Sequence, residues 1–99
     1  MKPTIGRIVI YRTTDADKAM FRNIGCNVME ELPAVISGVW GPNVINVKVF
    51  VDGPVSDLWK TSINEGTLPG QWMWPPRVEA EVKIEGDGNI VGNGNTQNL

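Results

Sequence analysis

Three stretches of this chain set an aromatic ring beside a hydroxyl or a cation: Tyr11-Arg12, Trp59-Lys60-Thr61, and Trp74 with Arg77 three residues on. Planar rings stack on nucleotide bases at about 1–3 kcal/mol per base. Lys and Arg neutralise phosphate through charge-assisted hydrogen bonds, and hydroxyls suit ribose and phosphate oxygens. These seven residues are the candidate ligand-binding set, and the ligand they suit is a negatively charged, base-bearing small molecule. The chain holds four tryptophans in 99 residues, and they do not fall at helical spacing. Trp72 and Trp74 are two apart, so in an extended segment both project to one side. Two uses of these rings stay open. They fill the core of a domain too small to do without large side chains, or at least one of them faces a ligand.

Most catalytic chemistry is excluded by composition. There is no histidine, so neither a Ser-His nor a Cys-His dyad can form, and no His-bearing metal site either. Cys26 is the single cysteine and the single possible thiolate ligand, which argues against structural zinc. It has no close basic neighbour to lower its pKa, so a buried, unreactive thiol is expected. Glu79 and Glu81 lie two apart and share one face of a strand; they read as its solvated side rather than as an acid–base pair. Gly86-Asp87-Gly88 lacks the alternating ligand series and the closing Glu of a calcium loop, and reads as a hairpin turn. The expectation is a protein that is not an enzyme and carries no metal or cofactor.

The elements that must position these residues follow from alternation. Ile5 to Arg12 is β-branched and reads as a strand with one buried and one mixed face. Thr13, Thr14 and Asp15 are N-cap candidates for a short helix over Ala16 to Arg22, which Asn23 and Gly25 close. Met29 to Leu32 is ambiguous and ends at Pro33. Ala34 to Trp40 is a second strand, in which Gly38 marks a bulge or a close backbone approach. Val44 to Val51 carries the strongest signal, with Ile45, Val47, Val49 and Val51 alternating against Asn46, Lys48 and Phe50. Asp52-Gly53 turns the chain toward a partner strand over Leu58 to Ile63. Gln71 to Pro76, with its prolines, suits a sheet edge or a loop capped by a strand end. Val78 to Ile84 alternates strictly and reads as a half-exposed strand, with Glu85 to Gly88 turning it toward Asn89-Ile90-Val91. The fold class is mostly β: a small antiparallel barrel or curled sheet, of SH3-like size, with one short helix. Residues 1–91 form one β-rich domain, and residues 92–99 a polar, Gly- and Asn-rich tail.

Charge and size narrow the partners. Nine Lys and Arg stand against eleven Asp and Glu, a net charge of −2, and the sequence pI is near 5.0. Duplex-DNA binders usually carry a basic face; here the basic residues are scattered, and duplex nucleic acid is not an expected partner. A chain of this length buries a thin core, so a homo-oligomer is expected. A lone cysteine cannot staple a secreted scaffold. No run approaches the roughly 20 apolar residues of a membrane span, and the N-terminus lacks an apolar signal region. A cytoplasmic protein with no membrane partner is expected.

A series of segments resembles a group of small tailed-phage proteins of unassigned role. It runs Lys2-Pro3-Thr4-Ile5-Gly6-Arg7-Ile8-Val9-Ile10-Tyr11, then Val39-Trp40, Val44 to Gly53, Thr61-Ser62, and Gly70-Gln71-Trp72-Met73-Trp74-Pro75. The resemblance covers Lys2 to about Arg77; the stretch from Thr13 to Leu32 and the chain after Val78 depart from it. It implies a phage protein expressed in a host bacterial cell. Size, acidity, aromatic content and absent catalytic groups extend the likeness to viral sponges of the Lockin and Sequestin type. These sequester nucleotide immune signals, cyclic nucleotides or ADP-ribose derivatives, without catalysis. That is the first expectation for function. A protein-binding inhibitor of a bacterial defence complex, of the anti-CRISPR kind, and a small phage structural component are the alternatives. A deep polar-aromatic pocket would favour the first, a flat exposed apolar patch the second, and an open polymerising edge the third.

Overall fold

The computed structural model describes residues 1–55 and 57–76. Five strands and one helix follow in the order β1 (Ile8–Arg12), α1 (Asp15–Asn23), β2 (Glu31–Val39), β3 (Val44–Val49), β4 (Leu58–Asn64) and β5 (Trp72–Met73). The strands form one sheet in the order β4-β3-β2-β1-β5, and every pairing in it is antiparallel. The sheet curls into a half-barrel, so the expected small, mostly-β fold with one short helix is what forms. The strand expected over Val78 to Ile84, the turn after it and the polar tail lie outside the described residues.

Alternation decides which face is buried. Val9 and Tyr11 of β1, Leu32, Ala34 and Ile36 of β2, Ile45, Val47 and Val49 of β3, and Trp72 of β5 point inward and form the core with Phe21 and Cys26. Phe21 comes from α1, which closes the inner face. The helix starts where Thr14 caps it. The Thr14 hydroxyl accepts from the Asp17 N–H, and the Asp17 carboxylate accepts from the Thr14 N–H, a reciprocal capping box. At its far end Gly25 adopts φ +78°, a left-handed conformation that glycine takes without strain.

Several boundaries differ from the sequence reading, each for a local reason. β1 begins at Ile8 rather than Ile5, because Arg7 N–H donates to Thr4 O across a turn in which Gly6 has φ +94°. β2 begins at Glu31 and runs through Pro33, where the sequence alone suggests a stop. Pro33 O accepts from Phe50 N–H, but proline has no N–H to return the bond, and the β2–β3 ladder ends there. β3 accordingly stops at Val49, two residues short of expectation. Gly38 does mark a bulge: the β2–β3 register shifts between Ile36 and Gly38.

Trp72 holds the curl. Its indole N–H donates to Asn43 O in the β2–β3 turn, 3.0 Å away. Its backbone bridges Glu65, just past β4, where Gly66 N–H donates to Trp72 O. The strand at one edge of the sheet is thus tied to the end of the strand at the other.

Candidate binding surface

The seven sequence candidates divide between the two faces of the sheet. Tyr11 and Lys60 point inward. Lys60 pairs with the inward Val47 in the β3–β4 register, and its ammonium lies 5.6 Å from the Tyr11 ring centre. Trp59 and Thr61 point outward, with Trp59 opposite Lys48. Arg12 ends β1 on the outer side and pairs with Glu31 at 2.9 Å. Trp74 packs edge-on to Trp72 at 5.3 Å, with the Arg7 guanidinium 5.3 Å from its own ring. Arg77 lies outside the described residues. The geometry brings together Tyr11 with Lys60, and Trp59 with Thr61; the sheet stands between the two pairs.

The inner pair belongs to a clasp. Asp17 on α1 is 4 % exposed, and its carboxylate accepts from Lys60 Nζ at 2.7 Å, Tyr11 Oη at 2.6 Å and the Thr14 N–H at 3.0 Å. Burial alone would raise its pKa; the bonds from Lys60, Thr14 and Tyr11 outweigh burial and hold it below the ordinary carboxylate value. Burial, and then the bond to an anionic acceptor, push the Tyr11 phenol well above its ordinary value. Every group here has its partner within the fold. The arrangement can fasten a helix to a strand, and it leaves no spare base or nucleophile.

The outer face is different. Across it the register aligns Ile8, Val35, Lys48 and Trp59 in one row, and Met73, Ile10 and Pro33 in the next, which Phe50 extends past the end of β3. Trp59 is 61 % exposed and Ile8 51 %, while Phe50 is also exposed. Beside these rows Trp40, 69 % exposed, is fixed at one point. Its indole N–H donates to Asn46 Oδ1 at 2.9 Å, an oxygen that also accepts from Thr61 Oγ1 at 3.0 Å and from the Ser62 N–H at 2.8 Å. Two irregularities make room for Asn46: the bulge at Gly38 on the β2 side, and a second register shift on the β4 side. At that second shift Ser62 takes φ +54°, a left-handed conformation unusual outside glycine. A Cβ at position 38 would lie 3.3 Å from Asn46 Nδ2, so glycine there leaves Asn46 its space.

Sequence reasoning missed Trp40, Asn46, Lys48, Val35 and Ile8 as a surface. The signal was present in β3: once Ile45, Val47 and Val49 are inward, Asn46 and Lys48 must be outward, beside whatever β2 and β4 present.

Both sheet edges are blunted. On β4 an inward-pointing Lys60 and the bulge at Ser62 interrupt a regular ladder, and β5 has two residues followed by Trp74, Pro75 and Pro76. Inward charges, bulges, short strands and prolines are the devices that stop edges from pairing with other chains. Among the described residues there is no enclosed pocket, and no three acidic or thiol side chains gather as metal ligands. No helix among them is long and apolar enough to cross a membrane. No known protein family, curated protein or solved structure matches this chain.

Proposed function

We propose that this protein is a non-catalytic binding module that engages another protein through the outer face of its sheet. The observation that carries this reading is the apolar outer face, where exposed Ile8 and Phe50 flank half-buried Val35 and exposed Trp59 follows across Lys48, with Trp40 pinned beside it by Asn46. Contiguous exposed apolar patches mark interaction sites. Tryptophans within such patches are the commonest residues to dominate binding energy. An indole already held by a hydrogen bond loses less conformational freedom when a partner docks.

Sequestration of a nucleotide signal, the first expectation from sequence, draws on Tyr11 and Lys60 on one face and on Trp59 and Thr61 on the other. One small ligand does not reach both. The structural-component reading needs an open edge, and both edges are blunted. The inhibitor reading needs an exposed apolar patch, and Ile8, Phe50 and Trp59 on the outer face of the curled sheet support it. On the resemblance to tailed-phage proteins, the partner belongs to a bacterial defence complex and is held without chemistry being done on it.

A photo-crosslinking residue at position 35 or 59, compared with one at Asn23 on the exposed side of α1, tests this in host cells. Discrete protein adducts should arise from the outer-face positions alone, and Ile8→Asp in the same chain should abolish them. Equal labelling from position 23, or no adduct from 35 and 59, would count against the face.

A further inference from the structure

Resting on that reading of the outer face, we infer that its partner is an acidic as well as apolar protein segment, with a carboxylate that meets Lys48. Lys48 lies in the middle of the apolar row, between Val35 on β2 and Trp59 on β4, and its side chain is exposed. The described cations that form ion pairs are Arg12 with Glu31, Lys18 with Glu30, and Lys60 with Asp17; Lys48 has no such partner among the described residues. A partner that buried the surrounding side chains without supplying an anion would strip water from this ammonium and give nothing back. A carboxylate opposite Lys48 removes that penalty and fixes the register of docking, while the apolar flank covers Trp59, Val35 and Ile8.

The same charge disfavours a second copy as the occupant. A two-fold axis through the middle of this row, between Val35 and Lys48, brings the two Lys48 side chains close together with no anion between them, and like charges at close range repel. Self-association of the chain, expected from its thin core, would then use another surface.

The test selects a library of random short peptides against the full chain. Expected binders pair Asp or Glu with large apolar residues. Their affinity should fall about tenfold or more with Lys48→Glu, fall less with Lys48→Met, which keeps the apolar stem, and weaken as salt rises. Replacing the peptide's acid by Lys should restore binding to the Lys48→Glu chain. Four outcomes overturn the inference, and they are distinguishable. Binders that need Trp59 and Trp40 but ignore Lys48→Glu leave the face standing and remove the carboxylate. Binders unaffected by Trp59→Ala remove the face itself. A dimer by sedimentation that Trp59→Ala dissociates makes a second copy the occupant. If Glu79→Lys with Glu81→Lys exposes Trp59 to acrylamide quenching, the chain's own carboxylates are what meet Lys48.

Discussion

Lys60 Nζ lies 2.7 Å from Asp17 Oδ1, and the contact joins an edge strand of the sheet to the helix across 43 residues of sequence. The Asp17 carboxylate also accepts from the Thr14 N–H at the start of its own helix and from the Tyr11 hydroxyl. One buried carboxylate thus links β1, α1 and β4. Lys60, which in sequence looks like a ligand-facing cation, is a fastening of the fold.

Lys60→Ala should therefore destabilise the protein. Removing one partner of a buried ion pair costs about 3–5 kcal/mol; here about 2–4 kcal/mol is expected, because Lys60 keeps part of its side chain in water. Combining it with Asp17→Asn should recover part of the loss, since the stranded charge is then gone. Denaturant unfolding of both variants measures this, and a loss below about 0.5 kcal/mol for Lys60→Ala, as at an ordinary surface site, would show that the clasp contributes little.

The clasp also sets how stability varies with pH. Asp17 has its folded pKa depressed below 3.8 by the bonds that offset its burial. Its contribution is fully present above that value and is lost as pH falls through the lower folded pKa. Tyr11 is the opposite case, its folded pKa raised above 10.0 by burial and by Asp17. Its contribution is present below pH 10.0 and is lost as pH rises toward the folded value. Asp17→Asn should flatten the acid limb of a stability–pH curve, and Tyr11→Phe the alkaline limb. An acid limb unchanged in Asp17→Asn would assign acid sensitivity to other carboxylates.

Much of this architecture is legible from alternation, and the part that is not has a specific cause. Ile45, Val47 and Val49 announce an inner face, and Gly38 announces its bulge. In β4, however, regular alternation groups Trp59, Thr61 and Ile63 on one face. The extra residue at Thr61-Ser62 moves Ile63 to the inner face beside Lys60, opposite Ile45 and Val47 respectively. Nothing in Leu-Trp-Lys-Thr-Ser-Ile shows that insertion, because its hydrogen-bond acceptor, Asn46 Oδ1, lies on the neighbouring strand. The candidate site does not gather for a simpler reason: Trp59 and Lys60 are neighbours in sequence, and a strand sends adjacent residues to opposite faces.

The tryptophans separate into two kinds, which mutation should resolve. Trp72 is fully buried and its indole N–H bridges to Asn43 O, so Trp72→Ala should cost about 3–5 kcal/mol. Trp59 stands outside the core, and Trp59→Ala should change stability by no more than about 0.5 kcal/mol. Thermal and denaturant unfolding check both. A large loss in Trp59→Ala would mean that the outer face is packed against something within the protein itself.

The tightest test of the outer face is Asn46. Its side-chain oxygen accepts three hydrogen bonds, from Trp40, Thr61 and the Ser62 backbone, and it sits between two bulges. Asn46→Ala removes the acceptor, leaves the Ser62 N–H at a strained position without its partner, and frees the Trp40 ring. A stability loss of about 0.5–1.5 kcal/mol is expected, the net worth of a hydrogen bond whose donors water can reach. Asn46→Asp keeps an acceptor oxygen and should preserve the geometry. Fluorine NMR of protein labelled with 5-fluorotryptophan reads the ring directly, with Trp40 assigned through Trp40→Phe. Its resonance should shift and narrow in Asn46→Ala and stay near its original position in Asn46→Asp. Gly38→Val should also move it, because the new side chain crowds Asn46 from the β2 side. A Trp40 resonance indifferent to both Asn46→Ala and Gly38→Val would mean that the indole is not held by Asn46, and the pre-formed anchor on this face would have to be abandoned.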